Sequence, residues 1–144
     1  MTELGFYHLT RTAAEAALPK LLARTLDAGA RALVVAPEEV RLASVSTALW
    51  ADAAWLPHGT PDQHALLQPI LLSTRAEPVN GATFLFLLDG ATAAPEAFAR
   101  VFDLFDGNDE ASVAAARARW AAAKQAGHAL TYWKQTASGW EKQA

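Results

Sequence analysis

The sequence contains no cysteine. That excludes a disulfide framework, a thiolate zinc site and a cysteine nucleophile, and it accords with a reducing compartment. No apolar run approaches the roughly 18–20 residues that span a bilayer. The opening stretch MTELGFYHLTRTAAEAALPK lacks a cationic segment followed by an apolar one, so no secretory signal is expected. A soluble, cytoplasmic protein is the expectation. The 8 glycines are scattered singly, and none forms G-x-G-x-x-G or a P-loop. The turn after the first apolar segment, LTRTAAE, has no glycine at all, so backbone amides lack the usual close route to a pyrophosphate. No serine sits in G-x-S-x-G, and no two histidines have the i, i+4 spacing of a helical metal site. No cofactor and no resident metal are expected.

Positive charge is also in short supply. The chain has 12 Lys and Arg against 15 Asp and Glu, a formal net charge of -3, which counts against binding nucleic acid over the whole surface. What is present suits a folded domain. Of 144 residues, 52% are hydrophobic and 19% charged, enough to bury a core in one domain covering residues 1–144.

Hydrophobic periodicity divides the chain into alternating strands and helices. LGFYHL reads as a first strand. AAEAALPKLLARTLDAGA carries Ala17, Leu21, Leu22 and Leu26 at helical spacing; Pro19 implies a bend or a start near it, and Gly29 a C-terminal stop. RALVVA, ILLS and ATFLFLLDG read as buried strands. PEEVRLASVSTALW begins with Pro and acids, as a helix does, and has Val40, Leu42, Val45 and Leu49 on one side. WLPHGTPDQHALLQP reads as loop. APEAFARVFDLFDG reads as a helix through Phe98, Val101, Phe102 and Phe105. DEASVAAARARWAAAKQAG is the clearest helix, with acids first, cations later and Gly127 at its end. HALTYWKQ reads as a last strand, and residues 135–144 as a short hairpin return or a tail. The alternation predicts a three-layer α/β/α domain with a mainly parallel sheet, similar to a nucleotide-binding fold without its phosphate loop.

Residues that carry chemistry are few. His58, His64 and Asp62 share a loop, where turn polarity explains them better than a metal site. Asp103, Asp106, Asp109 and Glu110 surround Gly107 without a calcium-loop pattern; helix capping accounts for Asp109 and Glu110. The 5 tryptophans are unusual for the length. Trp50 and Trp55 flank a helix end and a loop, and two readings stand equally: they cover a sheet edge, or they form an exposed patch for a partner. In AARARWAAAKQ, Arg117, Trp120 and Lys124 fall at i, i+3 and i+7 with Val113 a turn earlier. Either the alanine side (Ala114, Ala118, Ala121, Ala122) packs inward and this face receives a partner's carboxylate, or Trp120 tucks into the core and the cations merely suit the helix C-terminus. Spacing alone favours the second.

FYHL, ALW (Ala48–Trp50), WLPH (Trp55–His58), VFDLFDGND, ARARWAAAKQAGHALTYW and GWEK, taken in order, resemble the chi subunit of bacterial DNA polymerase III holoenzyme over essentially the whole chain. The resemblance implies a non-catalytic accessory subunit of the clamp loader. It also implies binding of the acidic C-terminal tail of single-stranded DNA-binding protein, which ends in Asp-Ile-Pro-Phe. Arg117 matches the family's tail-binding arginine, with Trp120 beside it, Lys124 as a further cation, and Phe105 and Val113 lining a pocket for the terminal ring. A second surface, Trp50, Trp55, Pro57 and His58, matches the one that binds the psi subunit. Here the chain departs from the enterobacterial pattern: the segment between the aromatics is shorter, and the second aromatic is Trp instead of Phe. That leaves psi, a repair helicase or another clamp-loader subunit as its partner. The ending runs past the family pattern and offers Lys134 or Lys142 to the tail site. Two other readings compete: a nucleotide-binding or enzymatic domain with His8, Thr10 and Arg11 at the strand ends, and single-stranded DNA binding by stacking tryptophans, against which the acidic balance weighs.

Overall fold

The computed structural model describes residues 2–144. In chain order the elements are β1 (Glu3–Leu9), α1 (Ala14–Asp27), β2 (Ala32–Val35), α2 (Glu39–Ala51), β3 (His58–Gly59), β4 (Ile70–Ser73), β5 (Phe84–Leu88), β6 (Arg100–Asp106), α3 (Glu110–Gln125), β7 (Ala129–Thr136) and β8 (Gly139–Lys142). The strands form one 8-stranded sheet in the order β3-β4-β2-β5-β6-β1-β7-β8. Every pairing is parallel except the β7–β8 hairpin. The fold is the expected three-layer α/β/α domain.

Period-2 alternation sorts each strand's side chains between the faces. Tyr7, Leu9, Val34, Phe86, Phe102 and Leu104 point toward α1 and α2, and pack with Leu18, Leu22, Leu42, Val45 and Leu49. Phe86 is fully buried and stacks on Phe102 at 4.3 Å. On the opposite face α3 covers Phe6 and Phe105. The rest of that face (Leu33, Val35, Leu71, Leu85, Leu87, Val101) lies under Phe98 and the alanines of the irregular connections. The C-terminal residues are a hairpin, not a loose tail: Trp133 stacks on Tyr7 at 6.3 Å and Trp140 meets the same ring edge-on at 5.0 Å.

The structure corrects one element. Residues 100–106 are strand β6, preceded by a short 3-10 turn at Pro95–Ala97, and not a helix. The spacing of Phe98, Val101, Phe102 and Phe105 mimics a helical stripe, but the segment is buried on both faces of the sheet. Such a strand reads as a near-continuous apolar run, which periodicity cannot tell from a buried helix. Two boundaries shift as well. Helix α1 begins at Ala14 and continues through Pro19. The expected loop after Trp55 contributes the two-residue edge strand β3 and a 3-10 turn at Ala65–Leu67. Gly29 and Gly127 follow their helices with φ of 77° and 86°, as the stop signals predict. Val40, expected on the apolar side of α2, is 73% exposed, whereas Leu42, Val45 and Leu49 are buried.

Phe86→Ala is expected to cost about 3–5 kcal/mol, because it empties the centre of the larger core and removes an aromatic stack. Chemical denaturation followed by circular dichroism checks this.

Candidate functional site

Helix α3 starts at Asp109, whose carboxylate accepts hydrogen bonds from the Ser112 amide at 3.1 Å and the Ser112 hydroxyl at 2.6 Å. This is the capping role expected of it. The helix turns only Ala116 and Ala123 fully inward. Trp120 lies between them on the same side, half-buried, meeting Phe6 edge-on at 5.4 Å and Tyr132 at 5.8 Å. The alanine side (Ala114, Ala118, Ala121, Ala122) is exposed, so of the two readings the fold adopts the one that spacing favours, with Trp120 turned inward. Positions 116, 120 and 123 form the buried i, i+4, i+7 stripe, and a large aromatic gains more by covering the sheet than a methyl group does.

The cations of α3 divide into two groups. Arg119 turns to the sheet and gives Asp103 two parallel hydrogen bonds, 2.7 and 3.0 Å. Burial pushes the Asp103 carboxyl above the ordinary carboxylate range, and Arg119 opposes that. Arg117 and Lys124 are exposed and have no ion-pair partner among the described residues.

Beside Arg117 the structure assembles an aromatic shelf from three elements. β6 supplies Phe105, buried at its floor, and α3 supplies Val113 and Trp120 at its wall. β7 adds Tyr132, 6.1 Å from Phe105. β1 adds His8, whose ring lies 5.0 Å from Phe105 and whose Nδ1 is 2.6 Å from the Tyr132 hydroxyl oxygen. Four of the five residues assigned to the tail site by resemblance therefore stand together, with Lys124 one turn beyond Trp120. Tyr132 and His8 were not assigned to it. A usable signal was present: Leu4, Phe6 and His8 alternate in β1 as Leu130, Tyr132 and Lys134 do in β7, and these pair in register. Only the adjacency of the two strands, with α3 crossing between β6 and β7, makes one site of them.

The second surface lies at the C-terminal end of α2. Trp50 and Trp55 are 59% and 81% exposed, so they do not cover the sheet edge. Leu56 anchors the segment in the core, and Pro57 is half-buried. His58 is buried, hydrogen-bonded to the Leu56 carbonyl and the Ser46 hydroxyl, each at 2.8 Å, and its ring lies 4.3 Å from that of Trp50. Its role is to hold Trp50 in place. Both ring nitrogens are engaged, so it does not join His64 and Asp62 as a metal ligand. Among the described residues no group of three or more His, Asp or Glu is placed to hold a metal ion.

The strand ends, where a nucleotide would sit in this fold class, carry a cavity of about 410 Å³ lined by Leu9, Arg11, Thr12, Asp89, Asp106 and Asn108. The amides of Thr10, Arg11 and Thr12 all point to Gln135 Oε1, at 3.2, 2.9 and 3.1 Å. A carboxamide oxygen from β7 thus occupies the amides that a phosphate would need. Trp133 and Trp140 pack on Tyr7, which leaves fewer tryptophans for stacking along a strand of DNA. Among the described residues no helix is long and apolar enough to cross a membrane.

The division of the cations yields a test. Asp103→Ala strands a mostly buried guanidinium and is expected to cost about 2–4 kcal/mol. Arg117→Ala should stay within about 0.5 kcal/mol of the parent protein in the same denaturation assay.

No protein with a curated description matches the chain. The family profile described as DNA polymerase III chi subunit, HolC, matches residues 1–131. The match takes in both exposed tryptophans, the whole of α3 and strands β1 and β6 beneath it, and it ends within β7, one residue before Tyr132. The chain belongs to the DNA polymerase III chi-subunit family.

Proposed function

We propose that this protein is a non-catalytic adaptor of the replication machinery in the cytoplasm, joining single-stranded DNA-binding protein to the clamp loader. The observation that carries the proposal is the pairing of two uncompensated cations, Arg117 and Lys124, with the shelf of Phe105, Val113, Trp120 and Tyr132. A C-terminal phenylalanine offers the complement: a ring for the shelf and a carboxylate for the guanidinium, which Arg grips with two parallel hydrogen bonds. The aspartate before it in an Asp-Ile-Pro-Phe ending adds charge for Lys124. Family membership supports the same reading.

The Trp50–Trp55 surface supports a second, separate attachment, to psi or an equivalent clamp-loader or helicase subunit. Two exposed indoles on a segment pinned by Leu56 and His58 are rigid anchors of the kind that dominate interface energetics.

Titration with a synthetic peptide ending in Asp-Ile-Pro-Phe, followed by tryptophan fluorescence, is expected to saturate and to weaken with salt. Arg117→Ala should weaken it roughly tenfold or more, in line with about 1.4 kcal/mol per tenfold, and the peptide lacking its last Phe should not bind. Affinity unchanged in Arg117→Ala would overturn this mechanism. For the second surface, Trp50→Ala with Trp55→Ala should abolish co-elution with the cognate psi subunit on gel filtration while the tail peptide still binds. Retained co-elution would remove that surface from the account.

A further inference from the structure

The contact between His8 and Tyr132 lies inside the shelf, and the grip of Arg117 on a terminal carboxylate does not by itself account for it. The Nδ1 edge of the imidazole meets the Tyr132 hydroxyl at 2.6 Å. The edge carrying Nε2 lies so close to Gly107 that a Cβ there would collide with it and stand 2.6 Å from the Leu9 carbonyl oxygen as well. Glycine is required at that position, and the ring is held from both sides. Its surroundings are one-sided in charge. β6 contributes Phe105, β7 contributes Tyr132 and Lys134, α3 contributes Arg117, and the turn contributes the Gly107 backbone. The acids of the turn before α3, Asp106 and Asp109, accept from the Asn108 amide and from Ser112. Partial burial lowers the imidazole below its ordinary range. A hydrogen bond with the Gly107 backbone opposes this, and Lys134 and Arg117 lower it further.

We infer that His8 and Tyr132 form a proton-linked clamp, in which protonation of His8 turns the Tyr132 hydroxyl into a donor for the carboxylate of an acidic peptide bound beside Arg117. In the neutral ring, with Nε2–H toward Gly107, Nδ1 accepts the Tyr132 hydroxyl proton. In the imidazolium, Nδ1–H donates to the phenol oxygen, and the phenol proton is released toward the shelf. One proton is taken from solvent and no bond between heavy atoms changes. A bound carboxylate offsets the charge of Arg117 and Lys134, so it favours the imidazolium. The imidazolium in turn supplies a donor that the neutral pair withholds. Linkage then fixes the sign: if binding raises the His8 pKa, binding tightens as pH falls. Lys134 takes part as the cation whose charge the ligand neutralises.

This inference rests on the shelf being the peptide site, and the experiment separates the two. The probe is a short peptide ending in Asp-Ile-Pro-Phe with a free carboxylate, titrated into the full chain between pH 8 and pH 5.5, where its own acids stay ionised. The wild type should bind roughly five- to tenfold tighter at pH 5.5 than at pH 8. His8→Gln should lose the slope, whatever its affinity at pH 8, and Tyr132→Phe should lose the slope as well. A C-terminally amidated peptide should show no slope. A flat wild-type profile, or a slope that survives in His8→Gln, overturns the clamp and leaves the peptide site standing. Absence of binding at every pH overturns both. A measurement independent of the variants is the NMR titration of the His8 ring with and without saturating peptide: its midpoint should move up, and an unmoved midpoint overturns the clamp.

Discussion

The bidentate bond between Arg119 and Asp103 sets the rotation of α3 on the sheet, and both faces of that helix follow from it. Half of the helix is alanine, so it has few large side chains to key it against the strands. Any rotation that withdrew Arg119 would leave a carboxylate 5% exposed without its partner, a loss of several kcal/mol in a buried pair. With Arg119 held, Trp120 must lie over Phe6 and Tyr132, and Arg117 and Lys124 must face water. The ion pair is an expensive way to stabilise a domain and an effective way to orient one element.

Aromatic residues then take separate tasks according to the face they are given. Tyr7, Phe86 and Phe102 fill the core beneath α1 and α2, and Trp133 and Trp140 close its edge on Tyr7. Phe105, Trp120 and Tyr132 form a half-open shelf on the other side. Trp50 and Trp55 are left in solvent, held by a buried histidine and leucine. The proposed linking role calls for two separate surfaces, and the shelf and the Trp50–Trp55 segment are two candidates at different places on the fold. Neither depends on the strand ends, where Gln135 already bonds the amides of the first turn.

Much of the fold was legible along the chain because parallel α/β domains write their elements as local periods and stop signals. Gly29, Gly127, the acids at 109–110 and the apolar run RALVVA each report on their own neighbourhood. Strand β6 was not legible, because burial on both faces erases the period-2 signature and VFDLF then passes for a helical stripe. The inward face of α3 was legible only in part: spacing favoured Trp120 turned inward, but with small residues all round, the wheel could not show which cation would find Asp103.

The sequence by itself determined the fold class, the absence of a phosphate loop, and the family to which its ordered segments point. It also singled out Arg117, Trp120 and Lys124 by spacing, since these are neighbours on one helix. Tertiary structure alone decided that Arg119 is structural while Arg117 is free, that Trp50 and Trp55 are exposed, and that His8 meets Tyr132 across 124 positions of chain. The physical reason is one of range. Helical and strand periods are set by nearest neighbours along the backbone, whereas strand order, register and the pairing of a buried charge are settled only when distant segments compete for the same face of the sheet.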